Sequence, residues 1–110
     1  MNEYIDLVQI KKIESDLISD DLDTRTSAIL FMTYEFYRAD WVLRRLVDLT
    51  YSSDTNVKSL AITCIGHIAR LRGGIDKKLV IPVLENLLSQ NDYSGFAQDA
   101  LDDIEIFAKD

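Results

Sequence analysis

The stretch DTNVKSLAITCIG, residues 54–66, decides the fold of this chain. Apolar residues recur at spacings of three and four through this stretch and just beyond it, and they are Val57, Ala61, Cys64, Ile65, Ile68 and Leu71. Such spacing places them along one side of an α-helix. The helix is predicted to end at Arg72-Gly73-Gly74, because glycine readily adopts left-handed backbone angles. As the most apolar segment of the chain, it is predicted to lie at the centre of the fold.

The remainder of the 110 residues shows the same helical spacing, and no run alternates long enough to predict a strand. We therefore predict an all-α fold of six helices. The first helix carries Ile5, Val8, Ile13 and Leu17 inward and ends at Ser19-Asp20-Asp21, and the second, capped by Asp21 or Asp23, carries Ala28, Phe31 and Met32 inward and ends near Arg38-Ala39. The third, capped by Asp40, buries Val42, Leu43, Leu46, Val47 and Leu49. The fifth runs from Leu79 to Leu88 and contains Pro82, and the sixth runs from about Phe96 to Ala108.

An internal repeat relates the second, fourth and sixth helices. Alignment on Ala28, Ala61 and Ala100 separates them by 33 and 39 residues, a spacing typical of solenoid repeats. The same alignment pairs Asp21 with Asp54, Arg25 with Lys58, Thr26 with Ser59, and Val57 with Phe96. A small residue at the recurring position lets neighbouring helices approach closely, and an acid at the helix start satisfies unpaired N–H groups. The repeat predicts three stacked helical hairpins.

Residues 54–66 resemble the second helix of a HEAT repeat: an acid-rich turn, an aliphatic residue followed by a basic one, an alanine, and an aliphatic-glycine pair. The segment LVIPVLENLL, residues 79–88, is similar to a HEAT first helix, including its proline. Departures from the pattern are Thr24, Thr33 and Glu105, in the two outer units. Terminal repeats are often atypical because they cap the stack. The resemblance implies a short α-solenoid of three HEAT-like hairpins that forms a single domain over residues 1–110.

Composition and charge restrict the classes of partner. Hydrophobic residues make up 47% of the chain and charged residues 28%, as in ordinary globular domains. Twelve Lys and Arg against 19 Asp and Glu give a net charge of −7, which repels phosphate backbones. We therefore predict no nucleic-acid partner. The longest stretch without a charged residue, 59–69, is too short to span a membrane, so no membrane partner is predicted either.

The single Cys64 lies among apolar neighbours, which predicts a buried, reduced thiol and a reducing compartment. The first residues, MNEYID, are acidic where a signal peptide would be basic. We therefore expect a cytoplasmic protein.

Catalytic and metal-binding patterns are weak in this sequence. His67 is the single histidine and has no cluster of ligand-type residues at metal-binding spacing. Cys64 and His67 are three residues apart, but Cys64 belongs to the apolar stripe and His67 does not. Gly73-Gly74 lacks the Lys-Ser/Thr of a phosphate-binding loop. Acids such as Glu35 and Asp103 are typical of solvated helix faces. We predict no catalytic residue, no metal, no cofactor and no enzymatic activity.

A more informative feature is the surface of the second helices. The repeat alignment places Leu30, Thr33, Tyr34 and Tyr37, then Thr63, Gly66, His67 and Arg70, then Asp102, Glu105 and Lys109, beside the buried stripe. The HEAT resemblance implies that this surface is concave and contacts a partner. The candidate partner-binding residues are Tyr34, Tyr37, His67, Arg70, Asp99, Asp102 and Glu105, with Trp41 a weaker one. Tyrosines suit an interface because they offer a large contact area at low rotamer cost. In the alternative, one or two of the aromatics cap the core of the first repeat.

These features predict a protein-binding module. The chain resembles the small, acidic, helical immunity proteins of contact-dependent growth inhibition (CDI) systems. That resemblance implies a monomer that forms a 1:1 heterodimer with a basic toxin domain, expected to be a nuclease, and that blocks its active site or its access to substrate. The alternative is a HEAT-like adaptor, scaffold or regulatory protein without a toxin partner, including one that handles a chromophore. HEAT-like nucleic-acid binding ranks last because Arg38, Arg70 and Lys109 are interspersed with acids.

Overall fold

A computed structural model describes residues 3–109, and within them it forms α-helices and no strand. The helices are α1 (Glu3–Leu17), α2 (Leu22–Tyr34), α3 (Ala39–Leu49), α4 (Thr55–Arg72), α5 (Lys77–Leu87) and α6 (Ser94–Phe107). The prediction of an all-α fold is confirmed. None of the helices in this described range is both long and apolar enough to span a bilayer.

Consecutive helices pack in pairs, α1 on α2, α3 on α4, and α5 on α6. The second helices of the pairs lie side by side, with α4 between α2 and α6. Accordingly α4 buries the longest series of side chains, among them Ala61, Ile62, Cys64 and Ile65, none of which has measurable solvent exposure. The central position predicted for α4 and the burial predicted for Cys64 are confirmed.

Local capping chemistry sets several helix ends. Asp21 accepts a hydrogen bond from the Thr24 N–H at 3.1 Å and begins α2. Asp54 accepts one from the Asn56 N–H at 2.9 Å and begins α4. Carboxylates at these positions satisfy amide groups that have no partner within the helix. Gly73 ends α4 with φ 68°, in the left-handed region, as predicted for the glycine pair.

The connection between α2 and α3 differs from the prediction. Helix α2 ends at Tyr34, four residues before the predicted end, and α3 begins at Ala39 with Arg38 rather than Asp40 at the cap position. Phe36, in the connection, is almost fully buried and packs edge-on against Trp41 with ring centroids 5.6 Å apart. Burying this large ring stabilises the non-helical segment more than extending α2 into solvent would.

Some predicted core positions are exposed instead. The residues predicted inward but found on the surface are Ile5, Val8, Phe31 and Leu71. In their place, Asp6, Ile29 and Thr33 are buried. Ile5, Val8 and Phe31 lie on α1 and α2, and within residues 3–109 no further pair of helices covers that side of them.

Two equivalent contacts define the register of the stack. The Thr33 hydroxyl of α2 interacts with the Cys64 thiol of α4, and a Cβ on Gly66 of α4 would lie 3.1 Å from the Ala100 Cα of α6. Gly66 follows Thr33 by 33 residues, and Ala100 follows Cys64 by 36. The third unit is therefore offset by 36 residues rather than 39. Its counterpart of Ala61 is Ala97, and the predicted alignment on Ala100 is wrong.

Ion pairs and polar contacts between units follow the same register. Arg25 of α2 contacts Asp54, at the start of α4, with an Nη2–Oδ2 distance of 2.8 Å. Lys58, the counterpart of Arg25, donates to Gln90, which follows Asp54 by 36 residues, at 3.3 Å. The Lys58 ammonium also lies 4.4 Å from the centroid of the Tyr93 ring. Helices α2 and α4 thus each use one basic side chain to contact the segment where the next second helix, α4 or α6, begins.

Candidate functional site

The corrected register aligns three rows of side chains across α2, α4 and α6. These rows, which we call the even-helix face, are Leu30, Thr63 and Asp99; Tyr34, His67 and Asp103; and Tyr37, Arg70 and Ile106. All nine are exposed or partly exposed. Thr33 and Gly66, which the sequence placed on this surface, are instead buried between neighbouring helices.

The chemistry of the even-helix face changes from one helix to the next. On α2 and in the segment that follows it, the face is aromatic and aliphatic, with Tyr34 and Tyr37 each more than two-fifths exposed. On α4 it carries a hydroxyl, an imidazole and a guanidinium. On α6 it carries the carboxylates of Asp99 and Asp103, with the exposed Ile106 at one end. A face graded in this way presents apolar contact area at one edge and negative charge at the other.

Tyr34 and His67 join α2 to α4 at the centre of this face. The Tyr34 hydroxyl is hydrogen-bonded to His67 Nδ1, and the two ring centroids are 5.7 Å apart. Partial burial lowers the pKa of His67, as does the positive charge of Arg70, while the Asp103 carboxylate opposes them. Partial burial also raises the pKa of Tyr34. Both shifts favour a protonated tyrosine hydroxyl beside a neutral imidazole.

A pocket of about 310 Å³ lies between α4 and α6, next to this pair. Its lining is Thr63, His67, Asp99, Ala100, Asp102 and Asp103. The structure thus brings together three of the predicted residues, His67, Asp99 and Asp102. It adds Asp103, which sequence reasoning treated as a solvated acid; the 36-residue register would have identified it as the counterpart of His67. In the described part of the chain, no three His, Cys, Asp or Glu side chains converge in a way that could hold a metal ion.

Arg70 and Glu105 differ in their position relative to the Tyr34–His67 pair and the pocket beside it. Arg70 is exposed, and its charge acts on both Tyr34 and His67. Glu105 is exposed but does not line the pocket. Positions i and i+2 of an α-helix are about 200° apart around its axis. Glu105 therefore points about 160° away from Asp103 around α6. The even-helix face therefore does not include Glu105.

Tyr37 is tied to the first helix rather than to the pocket. Its hydroxyl donates to Asp6 Oδ2 at 2.5 Å, and this hydrogen bond raises the pKa of Tyr37. Arg38 Nη1 lies 3.4 Å from the same oxygen, while Asp6 Oδ1 is buried and has no hydrogen-bond partner among residues 3–109. Sequence reasoning missed Asp6, although an acid among the apolar residues of α1 is a signal for such a contact. The ring of Tyr37 remains available at the surface.

The other aromatic candidate belongs to the core. Trp41 is partly buried and packs edge-on against Phe36. The alternative in which an aromatic caps the first repeat therefore describes Trp41, whereas Tyr34 and Tyr37 present their rings to solvent.

Cys64 lies on α4 close to His67 in sequence but faces the interior. Burial raises the pKa of its thiol, and the nearby Thr33 hydroxyl opposes this effect. A thiolate is the form that acts as a nucleophile, and this environment disfavours it.

Comparison with solved structures gives a likeness that extends over nearly the whole chain. No known protein-family model matches the chain, and no curated protein matches it. A solved structure described as the crystal structure of a CDI complex from Cupriavidus taiwanensis LMG 19424 contains a similar chain. The two chains are 29% identical, with a TM-score of 0.79, and the match covers 90% of this chain and 89% of that one. They therefore share one fold along nearly their whole lengths.

Proposed function

We propose that this chain is an immunity protein of a contact-dependent growth inhibition system, which binds a toxin domain and neutralises it. The observation that carries the proposal is the likeness to a chain of a CDI complex over 90% of the length at 29% identity. A fold alone serves many functions, but this match combines fold, sequence and membership of a complex in the matched structure.

The even-helix face supports a protein partner. Tyr34 and Tyr37 offer exposed rings whose hydroxyl groups are already held by His67 and Asp6. Aromatic side chains that are held in place before binding contribute contact area at little entropic cost. These two tyrosines are the proposed apolar anchor of the interface.

The pocket between α4 and α6 supports a basic partner. Asp99, Asp102 and Asp103 surround a volume of about 310 Å³, enough to receive a lysine or arginine side chain. The net charge of −7 also accelerates encounter with a positively charged surface. A nuclease toxin carries such a surface because it must bind phosphates.

In the proposed mechanism, this chain acts by occupying a surface of the toxin domain and catalyses no reaction. The acidic end of the even-helix face takes the place of a phosphate backbone on the basic surface of the toxin, while the tyrosines at the other end cover apolar area beside it. One copy of this HEAT-like chain binds one toxin domain in the cytoplasm and blocks its active site or the approach of its substrate.

A growth assay tests the proposal. The toxin domain encoded beside the gene for this chain is expressed in a sensitive bacterium, alone and together with the chain. We expect toxin alone to stop growth and degrade nucleic acid, and co-expression of the wild-type chain to restore both growth and intact nucleic acid. Persistent killing, or a stable complex with a housekeeping assembly instead of the toxin, would favour the adaptor alternative.

A pair of variants connects the growth assay to the face. Tyr34→Ala removes an aromatic ring from the even-helix face, whereas Tyr51→Ala removes a more exposed ring at the end of α3. We expect Tyr34→Ala to weaken protection and Tyr51→Ala to protect fully. Equal protection by both variants would place the binding surface elsewhere.

A further inference from the structure

A second, apolar groove lies at the outer end of the stack, between α1 and α2. Its volume is about 590 Å³, and Val8, Ile13, Ala28 and Phe31 form much of its lining. Val8 is 49% and Phe31 45% exposed, although both are large apolar side chains. Phe31 and Leu30 are neighbours on α2, so the groove adjoins the even-helix face without sharing its pocket.

The repeat register explains why this groove is apolar. Phe31 is the counterpart of Cys64 on α4 and of Ala100 on α6, since they are separated by 33 and 36 residues. Both counterparts are buried by the second helix of the preceding unit, Cys64 against Thr33 and Ala100 against Gly66. Within the described residues, no helix precedes α2 in this way. The groove on α2 therefore corresponds to the surface of α4 that α2 covers and to the surface of α6 that α4 covers.

The same register specifies one charged contact that an occupant would make. Asp54 at the start of α4 receives Arg25 from the preceding unit, at 2.8 Å. Asp21 stands at the equivalent place at the start of α2, and its side chain is exposed. Asp16, Asp23 and Lys12 also line the groove; Lys12 pairs with Asp16 at 3.0 Å, so Asp23 is the lining carboxylate that adds to the negative charge of Asp21. An occupant with a basic residue in its first turn would complement this end.

A second copy of this chain does not complement the groove. The stack could continue only if the outer side of α6 in another copy docked there, and that side carries Gln98, Asp102 and Glu105. Placing those carboxylates against Val8 and Phe31 would set them beside Asp21 and Asp23, while Lys12, the basic side chain of the lining, is already paired with Asp16 at 3.0 Å. Burying like charges in this way is costly.

We propose that the groove binds an amphipathic helix of a partner protein, laid along α2 as α2 is laid along α4. Its apolar stripe covers Val8, Ala28 and Phe31, and a lysine or arginine near its N-terminus pairs with Asp21. This inference concerns a surface outside the even-helix face, and it holds whether or not the partner is a toxin.

A peptide copy of α2 is the natural probe, because α2 already covers the equivalent surface of α4. Residues 20–37 are synthesised with a fluorescent label and with a side-chain link between positions 27 and 31, which face away from Thr33 and hold the peptide helical. Binding to the full-length chain is followed by fluorescence anisotropy. A second peptide carries Arg25→Glu.

We expect saturable binding of the α2 peptide to the wild-type chain and binding at least about 10-fold weaker to Val8→Glu and Phe31→Glu. The matched control is Leu71→Glu, at the end of α4. Leu71 is 52% exposed, similar to Val8 and Phe31, and this variant should bind the peptide as the wild type does. Asp21→Asn retains an N-cap acceptor but lacks the charge, so it should lose the preference for the Arg25 peptide over the Arg25→Glu peptide. Circular dichroism of each variant verifies that it is folded.

Three outcomes would overturn the inference. The first is no saturable binding to the wild-type chain, and the second is equal binding to the Phe31→Glu and Leu71→Glu variants. The third is self-association of the wild-type chain in sedimentation measurements that Phe31→Glu abolishes, since this would make a second copy the occupant. None of these results depends on the growth assay, so the groove and the immunity function fail or succeed separately.

Discussion

Tyr34 and His67, 33 residues apart, occupy the same position on α2 and α4, and the Tyr34 hydroxyl is hydrogen-bonded to His67 Nδ1. Equivalent positions of neighbouring units thus carry different but complementary side chains. The contact ties the aromatic edge of the even-helix face to its acidic edge, because Asp103, the next counterpart, acts on the same imidazole.

Lowering the pH should destabilise the protein through His67. Partial burial, reinforced by Arg70 and opposed by Asp103, lowers the pKa of His67 in the folded chain below its ordinary value of 6.5. The unfolded chain therefore binds this proton more readily, so stability is lost as the pH falls from about 6.5 toward the lower folded value. We expect His67→Gln to lack this loss. Melting temperatures of both proteins between pH 7.5 and 5 test it, and parallel curves would contradict it.

Reversing a charge in the pocket should weaken binding of the toxin. Asp102 lines the pocket between α4 and α6, whereas Glu105, about one turn further along α6, does not line it. We expect Asp102→Lys to weaken binding by about 10-fold or more and Glu105→Lys by much less, since the first opposes a basic partner at close range. Calorimetric titration of the toxin domain measures both. A larger effect at Glu105 would move the interface away from the pocket.

Adding a side chain at Gly66 should separate α4 from α6. A Cβ there would lie 3.1 Å from the Ala100 Cα, and that backbone cannot move without moving α6. We expect Gly66→Val to reduce the free energy of unfolding by about 1–3 kcal/mol, the usual range for overpacking. Gly95→Val is the control, because nothing lies within 4 Å of a Cβ at that position. Denaturant unfolding compares the two, and equal destabilisation would contradict the close approach.

Truncating a buried side chain of α4 should destabilise the protein more than truncating an exposed side chain at the end of the same helix. Ile65 is fully buried in α4, whereas Leu71, on the same helix, is 52% exposed. We expect Ile65→Ala to reduce the free energy of unfolding by about 2–5 kcal/mol through the cavity it leaves. Leu71→Ala should change it by less than about 0.5 kcal/mol. Denaturant unfolding of both variants measures the difference, and similar values would contradict the packing around α4.

Short-range physics made much of the fold predictable. Helical spacing identified all six helices because burial along one side needs apolar residues every three or four positions. Asp21, Asp54 and Gly73 were identified at helix ends because capping and left-handed turns depend on the residue itself and its near neighbours. The sequence also grouped Tyr34 with His67, which are hydrogen-bonded, and His67 with Asp102, which line one pocket. Their role in binding a partner stays a prediction.

The sequence by itself therefore determined the helices, their caps and the central place of α4. Only the tertiary structure decided the 36-residue register of the third unit, the place of Asp103 beside His67, and the burial of Asp6. It also decided that Phe31 is exposed although its counterpart Cys64 is buried. The physical reason is that the spacing of apolar residues predicts which side chains lie on the same side of a helix. Whether that side is buried, and what it contacts, depends on which other helix packs against it.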